Sequence, residues 1–201
     1  MGSSTLVDGA QDTRVIDAAL SCFSRWGVAK TTLDDIAREA GCSRATIYRL
    51  FPGGKDVVLD AVAGRELAQF FDGLREEMDR TSGDLEDLLV AGITYTTRAI
   101  RDHAALQFLL AHEPEVVLPL VAFDRLDVVL DHAAAFCTPY LEPHVGKEWA
   151  PRAGEWITRM VLSYCLVPSA GFDLAAEADA RRFVRSFVTP GLTTPRAEGS
   201  P

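Results

Sequence analysis

Apolar residues recur at intervals of three and four along almost the whole chain, and that spacing predicts helices throughout. Ile16, Ala19, Leu20, Phe23 and Trp26 mark one face of a first helix. Gly27 follows and suits a left-handed C-cap. Thr32 and Asp35 form a T-x-x-D capping signal, and the early acids complement the dipole of a second helix. The buried stripe of that helix is Leu33, Ile36, Ala37 and Ala40, and Gly41 ends it by taking positive φ cheaply. Ser43 is a good N-cap for a third helix, in which Cys42, Ile47 and Phe51 point to the core. Pro52 cannot continue it, and Gly53-Gly54 opens the chain. A long fourth helix starts near Lys55 and carries the apolar line Leu59, Ala63, Leu67, Phe70, Leu74 and Met78 up to a break at Thr81-Ser82-Gly83. Further helical segments fall at 84–111, 115–139, 147–168 and 175–188, punctuated by Pro114, Pro119, Pro139, Pro143, Pro151 and Pro168. No run alternates with period two between turn signals, and no repeat is present. The fold class expected is all-α.

Composition narrows this picture. An apolar content of 48% over 201 residues supports a real core. No apolar run is long enough to cross a bilayer, and MGSSTLVDGAQDTR lacks the basic-then-apolar order of a secretion signal, so a cytoplasmic location is expected. The four cysteines (Cys22, Cys42, Cys137, Cys165) are scattered and read as buried or half-buried thiols. His103 and His112 lie too far apart along a helix to share a metal, and His132 and His144 stand alone. No G-x-S-x-G or H-E-x-x-H order occurs, and Glu113 and Glu115 read as solvated. The Gly53-Gly54-Lys55 triplet fails as a phosphate loop, because the upstream glycine is missing and Asp56 replaces the hydroxyl. No catalytic residue, metal or cofactor is expected.

Charge points elsewhere. The formal net charge is −9, but between Asp12 and Lys55 seven basic residues outnumber five acids. From Cys42 to Lys55 there are three basic residues and no acid. One small face is therefore compatible with phosphates while the rest repels them. The words TTLDDIAREAG and SRATIYRLFPGGK place a small residue (Ala37) at a helix crossing, a glycine (Gly41) in the turn and an apolar pin (Ile47) in the second helix. These are the requirements of a helix-turn-helix. Together with AALSCFSRWGVAKTT, the stretch from about 12 to 60 resembles the tetracycline-repressor (TetR) family.

What the resemblance implies is a homodimer with a three-helix DNA-binding domain at 12–55, a ligand-binding and dimerisation domain at 56–190, and flexible ends at 1–11 and 191–201. The recognition helix would be 43–50. FPGGK, Glu66, Phe70 and Phe71 are similar to actinobacterial members linked to fatty-acyl or alkane metabolism. Cys42 stands where Val is frequent, and Leu50 where His or Tyr is frequent, a change that would remove one phosphate contact.

The DNA-facing residues expected are Thr32, Ser43, Arg44, Ala45, Thr46, Tyr48, Arg49 and Lys55. Arg44 carries a fork that matches guanine O6 and N7, its alternatives being a phosphate contact or plain exposure. Ser43 and Thr46 can donate to phosphate or touch a thymine methyl. The Tyr48 hydroxyl meets a phosphate, and Arg49 and Lys55 act electrostatically. Thr32 offers its amide and hydroxyl to a phosphate or serves as a cap alone. Phe70, Phe71, Leu74, Met78, Tyr95, Phe108, Leu109, Phe123, Leu126, Phe136 and Trp156 are candidate lining for an apolar effector pocket, against plain core packing. Trp156, Met160, Tyr164, Phe183 and Phe187 recur at fours and suit an isologous four-helix interface. The function expected is a ligand-responsive regulator, acting as a repressor on a palindromic double-stranded operator near the nucleoid. A non-specific architectural DNA binder or a small helical enzyme is the alternative.

Overall fold

The computed structural model describes residues 3–121 and 126–193. Its elements are α1 (Ser3–Lys30), α2 (Leu33–Glu39), α3 (Arg44–Leu50), α4 (Lys55–Arg80), α5 (Leu85–Asp102), α6 (Ala104–His112), α7 (Pro114–Val121), α8 (Leu126–Val145), α9 (Ala150–Leu166), α10 (Glu177–Phe183), a π-helical turn (Val184–Val188) and α11 (Thr189–Thr193). Among the described residues there is no strand, only an isolated bridge between Ser169 and Phe172. None of the described helices is long and apolar enough to cross a membrane.

Several boundaries differ from the sequence expectation. The first helix begins at Ser3, so the flexible lead at 1–11 is not observed over the described residues. The Gln11 side chain accepts a hydrogen bond from Arg49 Nη2 at 3.4 Å, which ties this segment to α3. The segment at 84–111 divides at His103, whose extended backbone and ring nitrogen start α6 anew. Pro139 and Pro143 sit inside α8 rather than ending it. Packing along α9 outweighs the proline penalty there. Of the expected loose tail, 191–193 are helical and the remainder lies outside the described residues.

The chain forms two compact units. The first comprises Met1–Phe70 and His103–Leu118, and so takes in α6 and much of α4 beyond the expected 12–55 boundary. In it α1 packs against α2, α3 and α6. The buried face of α1 is Val15, Ala18, Ala19, Cys22 and Phe23, while Trp26 is 40% exposed. Along the first turns of α4 the buried residues are Val58 and Val62, not Leu59, Ala63 and Leu67.

The second unit comprises Phe71–Asp102 and Pro119–Pro201. Its core gathers Leu89, Val90 and Ile93 of α5 with Ile157 and Val161 of α9 and Phe183, Val184 and Val188. The α8 and α9 helices approach closely because Gly154 faces Ala134 and Cys137: a Cβ at 154 would lie 3.0 Å from Cys137 Cβ. Burial pushes the Cys137 thiol up to about 11, consistent with an inert packing residue. Arg181 and Arg185 both bind Glu86, at 3.0 and 2.8 Å, and fasten the last helices to the start of α5.

Candidate nucleic-acid interface

The helix-turn-helix is built from short-range bonds. Thr32 Oγ1 accepts from the Asp35 amide, and Asp35 Oδ2 accepts from both the Thr32 amide (3.0 Å) and the Thr32 hydroxyl (2.6 Å). This capping box holds the Asp35 carboxyl below the ordinary carboxylate range, the hydroxyl being the larger cause. It also occupies the groups that the sequence reading offered to a phosphate, so capping is Thr32's role in this structure.

Gly41, at φ 62, closes α2. The Cys42 amide donates to Ala37 O at 2.9 Å and the Gly41 amide to Arg38 O at 3.3 Å, the paired bonds of a Schellman motif. Ser43 caps α3, its Oγ accepting from the Thr46 amide at 3.1 Å and lying 2.9 Å from Thr46 Oγ1. Ile47 is fully buried and Phe51 nearly so, which turns the opposite face of α3 outward. That face presents Arg44, Ala45, Tyr48 and Arg49, all exposed, with Thr46 half-buried.

Arg44 is pre-positioned by partners. Its Nη1 lies 3.2 Å from Asp34 Oδ2, its Nη2 reaches the Tyr48 hydroxyl at 3.4 Å, and its guanidinium sits over the Tyr48 ring at 5.6 Å. Tyr48 in turn lies along Gly54, where a Cβ would be 3.5 Å from the ring. Asp34, the acidic partner from α2, had no signal in the sequence reading.

Lys55 differs from its expected role. Its Nζ donates to Val28 O at 2.9 Å and Thr31 O at 3.2 Å, so two of its three protons belong to the fold. Glu113, expected to be solvated, is buried. Its Oε2 accepts from the Val28 amide at 2.7 Å and the Ala29 amide at 3.0 Å. Glu115 is exposed, as expected.

The effector-pocket residues are divided between the two units. Phe70, Phe108 and Leu109 belong to the first unit, where Phe108 stacks on His112 at 4.4 Å and Leu109 is buried. In the second unit Phe71 packs on Phe136 at 5.2 Å, Leu74 and Met78 are buried, and Leu126 is half-buried. Trp156 is 41% exposed, while Phe123 lies outside the described residues. An open cleft of about 710 Å³ in the second unit includes only Tyr95 of that set, among Glu77, Asp87, Arg98, Asp102 and Arg181. The Tyr95 hydroxyl occupies the space a side chain at Gly73 would need.

The interface set divides as well. Phe183 is buried within its own chain, against Tyr164 (4.9 Å), Phe172 (5.4 Å) and Phe187 (5.5 Å). Trp156 and Phe187 are exposed, and Met160 and Tyr164 are half-buried.

Residues 15–62 match the family model described as bacterial regulatory proteins, tetR family. Over 183 residues the chain is 32% identical to an uncharacterized HTH-type transcriptional regulator of Mycobacterium tuberculosis, Rv1255c, covering 90% of this chain and 84% of that one. It is 25% identical over 178 residues to the regulator AlkX of the same species, covering 87% of this chain and 83% of that one. Among solved structures, the TetR family repressor AlkX from Dietzia sp. superposes with a TM-score of 0.64 at 20% identity, covering 88% of this chain and 94% of that one. The regulator FadR from Bacillus halodurans superposes with 0.61 at 18% identity, covering 89% and 96%. With its helix-turn-helix, its all-helical second unit and a relative of this identity along nearly its full length, the chain belongs to the tetR family of bacterial regulatory proteins.

Proposed function

We propose that two copies of this chain bind a palindromic duplex, each laying α3 in a major groove, and that an apolar effector of fatty-acyl or alkane type releases them. The observation that carries the DNA reading is the outer face of α3. Arg44, Ala45 and Tyr48 are exposed together on a capped helix whose other face is locked by Ile47, and no acid lies between Cys42 and Lys55. Arg44 reads a guanine edge, Ala45 meets a thymine methyl, and Tyr48, Thr46 and Arg49 bind phosphates. Trp156, Met160, Tyr164 and Phe187 form the self-contact, since exposed aromatics that continue a buried ladder favour a matching surface. The two recognition helices would then stand about 34–36 Å apart.

Selection of duplexes from a random pool, followed by footprinting, tests this. A two-fold symmetric footprint supports it; uniform protection of any duplex would favour an architectural role instead.

For the effector, the support is chemical kinship. The Dietzia AlkX is described as implicated in biodegradation of n-alkanes, and the Bacillus FadR as a fatty acid degradation regulator. In this chain Phe71, Leu74, Met78 and Phe136 would be the apolar contacts of the alkyl chain, and the cleft near Tyr95 and Arg98 would take the polar head. Such a ligand must bind the released state more tightly than the DNA-bound one, or nothing shifts. Titrating fatty acids, acyl-CoAs and alkanols against the selected duplex checks it, and failure of all three to weaken binding removes the effector class.

A further inference from the structure

The α1 helix is kinked at Gly27, and from there to the start of α2 the backbone forms an elbow that draws partners from distant parts of the chain. Gly27 adopts φ 81 and ψ 172, a region open to glycine almost alone. Beyond it, Thr31 Oγ1 donates to Gly27 O at 2.6 Å. The other partners come from afar. Glu113, at the end of α6, accepts from the amides of Val28 and Ala29 across 85 and 84 positions of chain. Lys55, at the start of α4, donates to the carbonyls of Val28 and Thr31. An acid thus holds the donors of the elbow and a base holds its acceptors.

Gly27 and Glu113 are matched. A Cβ at position 27 would lie 2.1 Å from Glu113 Oε1, so the missing side chain is the seat of the carboxylate. The other end of α6 is fastened too. His103 Nδ1 accepts from the Leu106 amide at 3.1 Å, which puts the ring proton on Nε2, 3.0 Å from Glu66 Oε2 on α4. Glu66 also pairs with Arg65, and Arg65 reaches Asp17 on α1. The α6 helix is therefore held to α4 at its start and to the elbow at its end.

From this geometry we propose that Glu113 is a positioning residue for operator binding: it sets the angle at which the helix-turn-helix leaves α1. The role presupposes the DNA-binding function above and adds to it where α6 acts. α2 begins two residues after the elbow and is coupled to α3 by the Schellman turn, so the direction of the elbow becomes the direction of the recognition helix. Loss of the carboxylate leaves the buried Val28 amide and the part-buried Ala29 amide without their acceptor, and the elbow turns to find another. Specific binding, which needs base edges in register, weakens; non-specific binding, which needs only charge, does not.

The test compares wild type with Glu113→Met, Glu113→Ala and Glu113→Asp. Amide proton shifts and hydrogen exchange of Val28 and Ala29 report the elbow without DNA. Fluorescence anisotropy then gives affinity for the duplex enriched by wild type and for a scrambled duplex, well below each variant's thermal midpoint. In Glu113→Met and Glu113→Ala, neither of which offers an oxygen acceptor, both amides should lose their shift and protection. The ratio of specific to scrambled affinity should fall about tenfold or more, with helicity unchanged. Glu113→Asp, one methylene shorter, should fall between. A residue that only stabilises the fold would lower the midpoint and leave that ratio alone. An unchanged ratio, within twofold, in Glu113→Met with loosened amides overturns the proposal, as do wild-type amide signals in that variant. Should Glu113→Ala fail to fold, Glu113→Met decides alone. If wild type enriches no duplex, the DNA reading falls, whereas the amide measurement still judges the elbow.

Discussion

Two bends lead into the recognition helix, and both turn on a glycine at positive φ: Gly27 at 81° and Gly41 at 62°. They are held by different means. The Gly41 turn closes on its own neighbours, through Cys42 to Ala37 and Gly41 to Arg38, and a side chain added there would meet nothing within 4 Å. The Gly27 elbow depends on Glu113 and Lys55, brought in from α6 and α4. The Gly41 turn is a joint that travels with its helices. The Gly27 elbow is only as fixed as α4 and α6, which clasp it, so under the proposal above it is where a shift of α6 would reach α3.

The largest expected effect is therefore at position 27. Gly27→Ala combines a glycine-only conformation with a collision against Glu113 and should cost about 3 kcal/mol or more. Gly41→Ala meets open space and should cost only the left-handed penalty, about 1–2 kcal/mol. Urea unfolding at one protein concentration measures both, and equal losses would dissolve the contrast between the bends. Next, Thr32→Ala removes the cap of α2 and should cost about 1 kcal/mol. The same box has an acid signature. Asp35 titrates lower when folded, so its contribution is complete above the ordinary carboxylate value of about 3.9 and is lost as pH falls through the lower folded value. Asp35→Asn should flatten that acid limb of the stability curve, and an unaltered limb would show that the box does not contribute. The smallest effect belongs to Asp34→Ala. It breaks an exposed, solvent-screened ion pair, frees Arg44 and removes a charge that repels phosphates. Stability should barely move while DNA affinity rises modestly. A fall in affinity would mean that holding Arg44 in place matters more than freeing it.

How far the sequence foretold this follows the range of each interaction. Thr32 with Asp35, Ser43 with Thr46, and Gly41 between them act over three to five residues, so α2 and α3 were readable from spacing alone. The buried role of Glu113 rests on partners 84 and 85 residues away, and its only local trace is an acid before a proline. On α4 the run Val57-Val58-Leu59 and the run Ala61-Val62-Ala63 put apolar groups on adjacent faces, so periodicity could not choose Val58 and Val62 as the buried pair. Phe183 and Phe187 share spacing and chemistry, yet the π-helical turn and the core around Tyr164 bury one and expose the other. Pro139 and Pro143 predict a stop that packing on α9 overrides.

The most direct test of the central claim is the affinity of Arg44→Ala and wild type for the enriched duplex and for versions changed at one base pair at a time, at fixed salt. A base-reading Arg44 predicts a loss of about 1–3 kcal/mol on the enriched duplex and indifference of the variant to one base position that wild type discriminates. An equal loss on every duplex, with discrimination intact at each position, would contradict the assignment of α3 as the element that reads sequence.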